Sequence, residues 1–196
     1  MSQQLHEAKS AVVTVGDGRG FVVDYRSSQL VVTAAQCLPF FPPGESDLEQ
    51  RTYKLLAPLG SEPAVWVQCL FADPIADIAV LGSPDDHGLR EEAKAYEALM
   101  KSATSLSIAD GPGQGRGWVL SLERRWLRCT VQITINGSLW IPNTGPHVVP
   151  GMSGSPIISD SGAAIGVLSL GTNLEGWNNP RLVRDLPGWF LDAQRD

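Results

Sequence analysis

Basic clusters, histidine, cysteine and long apolar runs are all scarce in this chain, and each shortage excludes a class of function. Lys and Arg number 15 against 21 Asp and Glu, for a net charge of −6. No basic run is longer than the pair Arg124-Arg125, so the electrostatic footprint of a nucleic-acid binder is missing. No apolar run nears the ~20 residues that a membrane-spanning helix needs, and the polar stretch Met1 to Ser10 has no apolar core of the kind a secretion signal carries. The expectation is a soluble, cytoplasmic protein with no membrane and no nucleic-acid partner. Three cysteines, Cys37, Cys69 and Cys129, are odd in number and widely spaced. That pattern supports neither a disulfide framework nor a zinc site, and it fits buried thiols in a reducing compartment. No metal and no cofactor is expected. Only three histidines, His6, His87 and His147, are present to serve as bases.

What the chain has in quantity is short β-branched runs separated by turn residues. Ser10 to Gly16, Phe21 to Tyr25 and Leu30 to Thr33 read as three strands of an antiparallel meander, joined at Asp17-Gly18-Arg19-Gly20 and Arg26-Ser27-Ser28-Gln29. Pro39 to Gly44 breaks the pattern, and Glu45 to Lys54 reads as a polar loop or short helix. Ala64 to Phe71 and Asp77 to Leu81 are two more strands. From Leu89 to Ser102, Leu89, Ala93, Tyr96, Leu99 and Met100 recur at helical spacing and predict a helix that divides the chain. Beyond it lies a second β meander: Trp118 to Leu122, Trp126 to Ile135, Leu139 to Ile141, Ile157-Ile158 and Ala164 to Leu170. The tail from Pro180, with Trp189, Phe190 and Leu191 after a cap at Asp185, reads as a short helix or loop docked on the barrel. The organisation is an N-terminal segment at 1–9, a first β lobe at 10–88, a helical connector at 89–110 and a second β lobe with the tail at 111–196.

One stretch reads as chemistry rather than scaffold. In Pro150-Gly151-Met152-Ser153-Gly154-Ser155-Pro156, glycines flank a serine between β-like runs. They permit a tight loop whose N–H groups converge, and two such donors can hold the negative oxygen of an acyl-transfer intermediate. Gly/Ser/Pro turns are also common surface punctuation, so the reading needs a base and an orienting acid. Asp77, at the mouth of the apolar run Ile78-Ala79-Val80-Leu81, is the acid candidate, because a carboxylate there needs a partner. A strand-initiating turn residue is the plainer alternative.

Phe21-Val22-Val23 through Leu30-Val31-Val32-Thr33-Ala34-Ala35-Gln36-Cys37-Leu38, then Asp77 to Leu81, then Gly151 to Pro156, resemble the three signature blocks of chymotrypsin-like serine peptidases, in that family's order. The resemblance spans about Ala11 to Thr172. It implies an all-β fold of two packed six-stranded antiparallel barrels, Ser153 as nucleophile, Asp77 as the acid that orients the base, and the Gly151 and Ser153 amides as an oxyanion hole. It also implies that His147, near the substrate pocket, contacts the substrate or makes a structural hydrogen bond, and that Ser169-Leu170-Gly171 is the edge that pairs with an extended substrate. Met152 stands where relatives activated by a new N-terminus carry an acid, so that activation is not expected. Cys37 has no mate near Gly18 to Phe21, where secreted relatives place one.

The departure is at the base. Gln36 occupies the family's histidine position, and an amide cannot take the serine proton and return it to the leaving amine. His6 and His87 lie in a polar segment and an exposed turn, and His147 belongs to the substrate side. Gln36 is expected to bridge Asp77 and Ser153 and to keep the site's shape. Two functions follow: a trypsin-like serine endopeptidase that is inactive or very slow because of Gln36, introduced or natural, or a pseudopeptidase that binds peptides or proteins. Either way the partner is a polypeptide.

Overall fold

The computed structural model describes residues 3–42, 51–111, 114–133, 139–141, 149–169, 178–179 and 182–192. Six antiparallel strands close the first barrel in the order β1 (Val12–Val15), β2 (Gly18–Tyr25), β3 (Ser28–Thr33), β6 (Ile78–Gly82), β5 (Val65–Asp73) and β4 (Thr52–Pro58). β4 returns to β1 through the pairs Val13↔Pro58 and Val15↔Leu56. The segment Glu45 to Lys54 therefore ends in a strand, not a loop or helix. Tyr53, Leu55, Leu56 and Ala57 are buried there, and tertiary pairing on both edges overrides the polar composition of the residues that lead into it.

Strand side chains alternate between faces, and along β1, β6 and most of β2 and β3 both faces are covered. Val13, Val15, Val22, Val31, Leu56, Val67 and Leu81 form the interior together with Tyr96, Leu99 and Met100. The last three come from α2 (Arg90–Ser102), which buries one stripe and exposes its charges. The alternate residues Val12, Phe21, Val23, Val32, Ile78 and Val80 turn outward and pack against Leu120, Trp126, Ile158, Ala164 and Val167 of the second lobe. Burial on both faces explains why β3 and β6 read as unbroken apolar runs rather than alternating ones. Each such side chain removed from water contributes about 1.5–3 kcal/mol.

The second lobe is a six-stranded sheet in the order β11 (Ala164–Val167), β10 (Pro156–Ile158), β7 (Gln114–Leu120), β8 (Trp126–Ile133), β9 (Leu139–Trp140) and β12 (Asn178–Asn179). β9 and β12 contribute only two residues each, so four strands carry most of the sheet. Among the described residues it remains open, which corrects the expectation of a second closed barrel: β11 and β12 are its edges and do not pair with each other. Val119, Cys129, Val131, Ile141, Met152, Ile157, Ile165 and Leu168 form its own core.

Both ends of the chain fasten the lobes together. The polar N-terminal segment is a helix, α1 (Gln3–Ser10), whose Leu5 and Ala8 enter the inter-lobe core. The Leu5 carbonyl accepts from Trp126 Nε1 at 2.6 Å and that of Glu7 from Thr104 Oγ1 at 3.0 Å. The tail forms two short helices, α3 (Leu182–Asp185) and α4 (Gly188–Asp192). Asp185 is the last residue of α3. Phe190 stacks on Tyr25 of the first barrel at 5.7 Å between ring centroids.

Candidate active site

β3 ends in Thr33, and the extended Ala34 leads into a 3-10 turn over Ala35–Cys37. The turn buries Ala35 and presents Gln36 to solvent. Opposite, Asp73 Oδ1 accepts from the amides of Ile75 at 2.8 Å and Ala76 at 3.1 Å, bending the chain between β5 and β6. Asp77 follows in the left-handed region with φ +51°, a conformation that Asp tolerates better than most residues.

Its carboxylate is fully engaged. Oδ1 accepts from the Gln36 amide at 2.8 Å, and Oδ2 accepts from Gln36 Nε2 at 2.7 Å and from Ser169 Oγ. Gln36 Nε2 also donates to Ser169 Oγ at 3.2 Å. The sequence-predicted residues Gln36, Asp77 and Ser169 are thus one hydrogen-bonded cluster that crosses from the first lobe to the second. The expected bridge from Gln36 to Ser153 does not form among the described residues: the Gln36 side-chain donors go to Asp77 and Ser169, and Ser153 Oγ does not donate to Gln36 Oε1. The carboxylate is the stronger acceptor, since a hydrogen bond to a charged group is about twice as strong as a neutral one.

The Ser153 turn is assembled from the second lobe. Met152 N donates to Val149 O at 3.2 Å, Ser155 N to Met152 O at 3.1 Å, and Gly154 N to Leu168 O at 2.7 Å. Gly151 and Gly154 take φ of +90° and +81°. At Gly154 the requirement for glycine is absolute, because a Cβ there would stand 1.8 Å from Arg19 O and 2.6 Å from Thr33 Oγ1. The backbone of the first barrel presses directly on this turn: Arg19 N donates to Ser153 O at 2.8 Å, and Cys37 Sγ lies 3.7 Å from the same oxygen.

Several groups at the turn are left open among the described residues, including the fully buried hydroxyl of Ser155. Among the described residues, Ser153 Oγ has no hydrogen-bond partner, and neither the Gly151 nor the Ser153 N–H donates to an acceptor. The Ser153 side chain is mostly buried at 7% exposure. At adjacent Cys37, burial, with the charge of Asp77 adding to it, pushes the thiol pKa up against the hydrogen bonds that favour the thiolate. Gly18, which opens the stretch Gly18 to Phe21 where the resemblance places a mate for this cysteine, has its missing Cβ 2.6 Å from Cys37 Sγ. All three cysteines are unpaired.

No sequence family and no curated protein matches this chain. Solved structures do. The chain is similar to a human pathogenic astrovirus serine protease, with a TM-score of 0.55 at 16% identity over 91% of this chain and 94% of that one. It is also similar to the Rv3671c protease in its inactive form, with a TM-score of 0.56 at 15% identity over 98% and 90% of the two chains. The fold is the chymotrypsin-like protease fold.

Within that protease fold, His147, Leu170 and Gly171 lie outside the described residues. His87 is exposed in the turn ahead of α2 and His6 is exposed on α1, so neither joins the cluster. Sequence reading missed Arg19, which is buried at 5% exposure beneath the Ser153 turn. Its one visible signal was a charged residue inside the turn-and-strand stretch Gly18-Arg19-Gly20-Phe21.

Proposed function

We propose that this chain is a serine peptidase of the trypsin-like kind, acting on polypeptide, in which Ser153 is the nucleophile, Asp77 the orienting acid and Gln36 the occupant of the base position. The observation that supports it is the joint arrangement at the lobe interface: a buried serine whose hydroxyl and two neighbouring amides are unpartnered among the described residues, and, across from it, a carboxylate aimed at position 36. In the reaction Ser153 Oγ attacks the peptide carbonyl, the amides of Gly151 and Ser153 receive the developing oxyanion, and the hydroxyl proton must leave to a base. Gln36 offers no basic nitrogen, so acyl-enzyme formation stalls at that transfer. In serine peptidases generally, an oxyanion hole and binding without the full triad retain a rate of ~10³–10⁴ over water, far below a working protease.

A second reading, a pseudopeptidase that binds polypeptide without cleaving it, is favoured by one feature. Both N–H groups of the Gln36 amide are satisfied by Asp77 and Ser169, so glutamine completes a stable cluster instead of leaving a gap. A serine-directed fluorophosphonate probe separates the two readings. Under the first, Gln36→His protein labels at Ser153, the chain with Gln36 labels far more slowly, and Ser153→Ala abolishes labelling. If neither the chain with Gln36 nor the Gln36→His protein labels, the binding role is the better account.

A further inference from the structure

Arg19 is a guanidinium sealed between the lobes with no carboxylate among its hydrogen-bond partners in the described residues. Nη1 donates to Leu120 O at 2.7 Å and Nη2 to Ser121 O at 3.0 Å, the carbonyls where β7 ends and the chain turns towards β8. Its backbone is engaged as closely: N donates to Ser153 O at 2.8 Å, and O accepts from Thr33 Oγ1 at 2.6 Å. One first-barrel residue therefore grips the second lobe at three carbonyls, one of which belongs to Ser153. The segment it holds also touches the turn: Leu122 Cδ2 lies 3.5 Å from where a Gly151 Cβ would be.

Burying a charge is unfavourable unless it is paired or hydrogen-bonded, and here the compensation comes from two backbone carbonyls. A norleucine-like stem would fill the same volume without desolvating a cation, whereas the planar fork can satisfy two carbonyls at once and fix their spacing. Burial, with Arg124 adding to it and Glu123 opposing, lowers the pKa of Arg19 to about 10. The side chain stays protonated at neutral pH, so both of its bonds to the Leu120 and Ser121 carbonyls are charge-assisted.

We infer that Arg19 is the positioning residue of this site: it locks the Ser153 turn and the Leu120–Leu122 segment into one register, so that the Gly151 and Ser153 amides are set to receive an oxyanion. The inference rests on the reading of Ser153 as nucleophile, and two measurements keep the two claims apart. The first is amide hydrogen exchange in the chain with Gln36, which needs no catalysis. Arg19→Met speeds exchange at Met152, Gly154 and Ser155 by about tenfold or more while β3 and β6 keep their protection; a folded Arg19→Met protein with unchanged exchange at those amides overturns the inference. The second is fluorophosphonate labelling in the Gln36→His background, normalised to folded protein. Arg19→Met labels roughly 100-fold more slowly, the scale that a misplacement of about 1 Å produces, and Arg19→Lys, which keeps the charge but reaches one carbonyl, recovers part of the rate. Trp126→Phe, which loosens the same lobe through its bond to Leu5, labels at the parent rate. Labelling of Arg19→Met at the parent rate overturns the inference. Should Arg19→Met fail to fold, Arg19→Lys decides it, since parent-like exchange and labelling there show that the fork is not needed. Should the Gln36→His parent itself not label, the peptidase reading fails and the exchange comparison alone judges Arg19.

Discussion

On one side of the lobe interface, Asp77 collects hydrogen bonds from Gln36 N, Gln36 Nε2 and Ser169 Oγ. On the other, Ser153 Oγ and the amides of Gly151 and Ser153 have no partner among the described residues. The two halves of one candidate site are thus completed to different degrees. In the Asp77 half, the Gln36 side chain forms a tie between the lobes. The Ser153 half keeps unpartnered donors among the described residues, held by glycine conformations and by close contact with Arg19. The two are built on different strands and held by different bonds.

The contrast can be broken most severely at Gly154. Gly154→Ala places a Cβ 1.8 Å from Arg19 O in a residue with φ +81°, and a loss of about 3 kcal/mol or more in urea unfolding is expected; a loss under about 1 kcal/mol would mean that the turn moves freely, contrary to its described packing. Next comes Asp77→Asn, which keeps the side chain's shape and its tolerance of φ +51° but removes the charge. It should lower stability by about 2 kcal/mol with no change in exchange at Met152 to Ser155. Faster exchange there would show that the halves are coupled.

Alkaline pH probes the interiors behind both halves. Burial raises the Cys129 thiol from an ordinary 9.0 to about 12, against one backbone hydrogen bond that lowers it. The stabilisation from this group is full below pH 9 and is lost as pH rises from 9 to about 12, because the unfolded chain releases its proton first. About 1 kcal/mol should be gone by pH 10. Cys129→Ser or Cys129→Ala should flatten that part of the unfolding profile measured between pH 8 and 10.5. The smallest effect is expected from Trp126→Phe, which removes one buried hydrogen bond, at about 1 kcal/mol, and leaves exchange around Asp77 unaltered.

Gln36, Asp77 and the Ser153 turn were legible because their local chemistry is visible in one dimension, whereas Arg19 was not. Glycines around Ser153, an acid opening an apolar strand and Thr-Ala-Ala-x-Cys before it are all short-range patterns, as are the strands of the first barrel and the stripe of α2. β4 was hidden because its polar approach says nothing of the two strands that pair with it. α1 was hidden because its two apolar residues, Leu5 and Ala8, are too few to show a stripe and gain their meaning only from Trp126 and the second lobe.

The sequence by itself determined that this is a β-rich chain with a glycine-flanked serine turn, an acid opening an apolar strand and Gln36 ahead of Cys37, since those follow from residue types and their order. The tertiary structure alone decided how they are joined. It directs the Gln36 amide to Asp77 and Ser169 and away from Ser153, leaves the second sheet open among the described residues, and sets a buried Arg19 under the turn. Each of these depends on which carbonyl or carboxylate lies within about 3 Å, and distances between residues more than a hundred positions apart are set by packing.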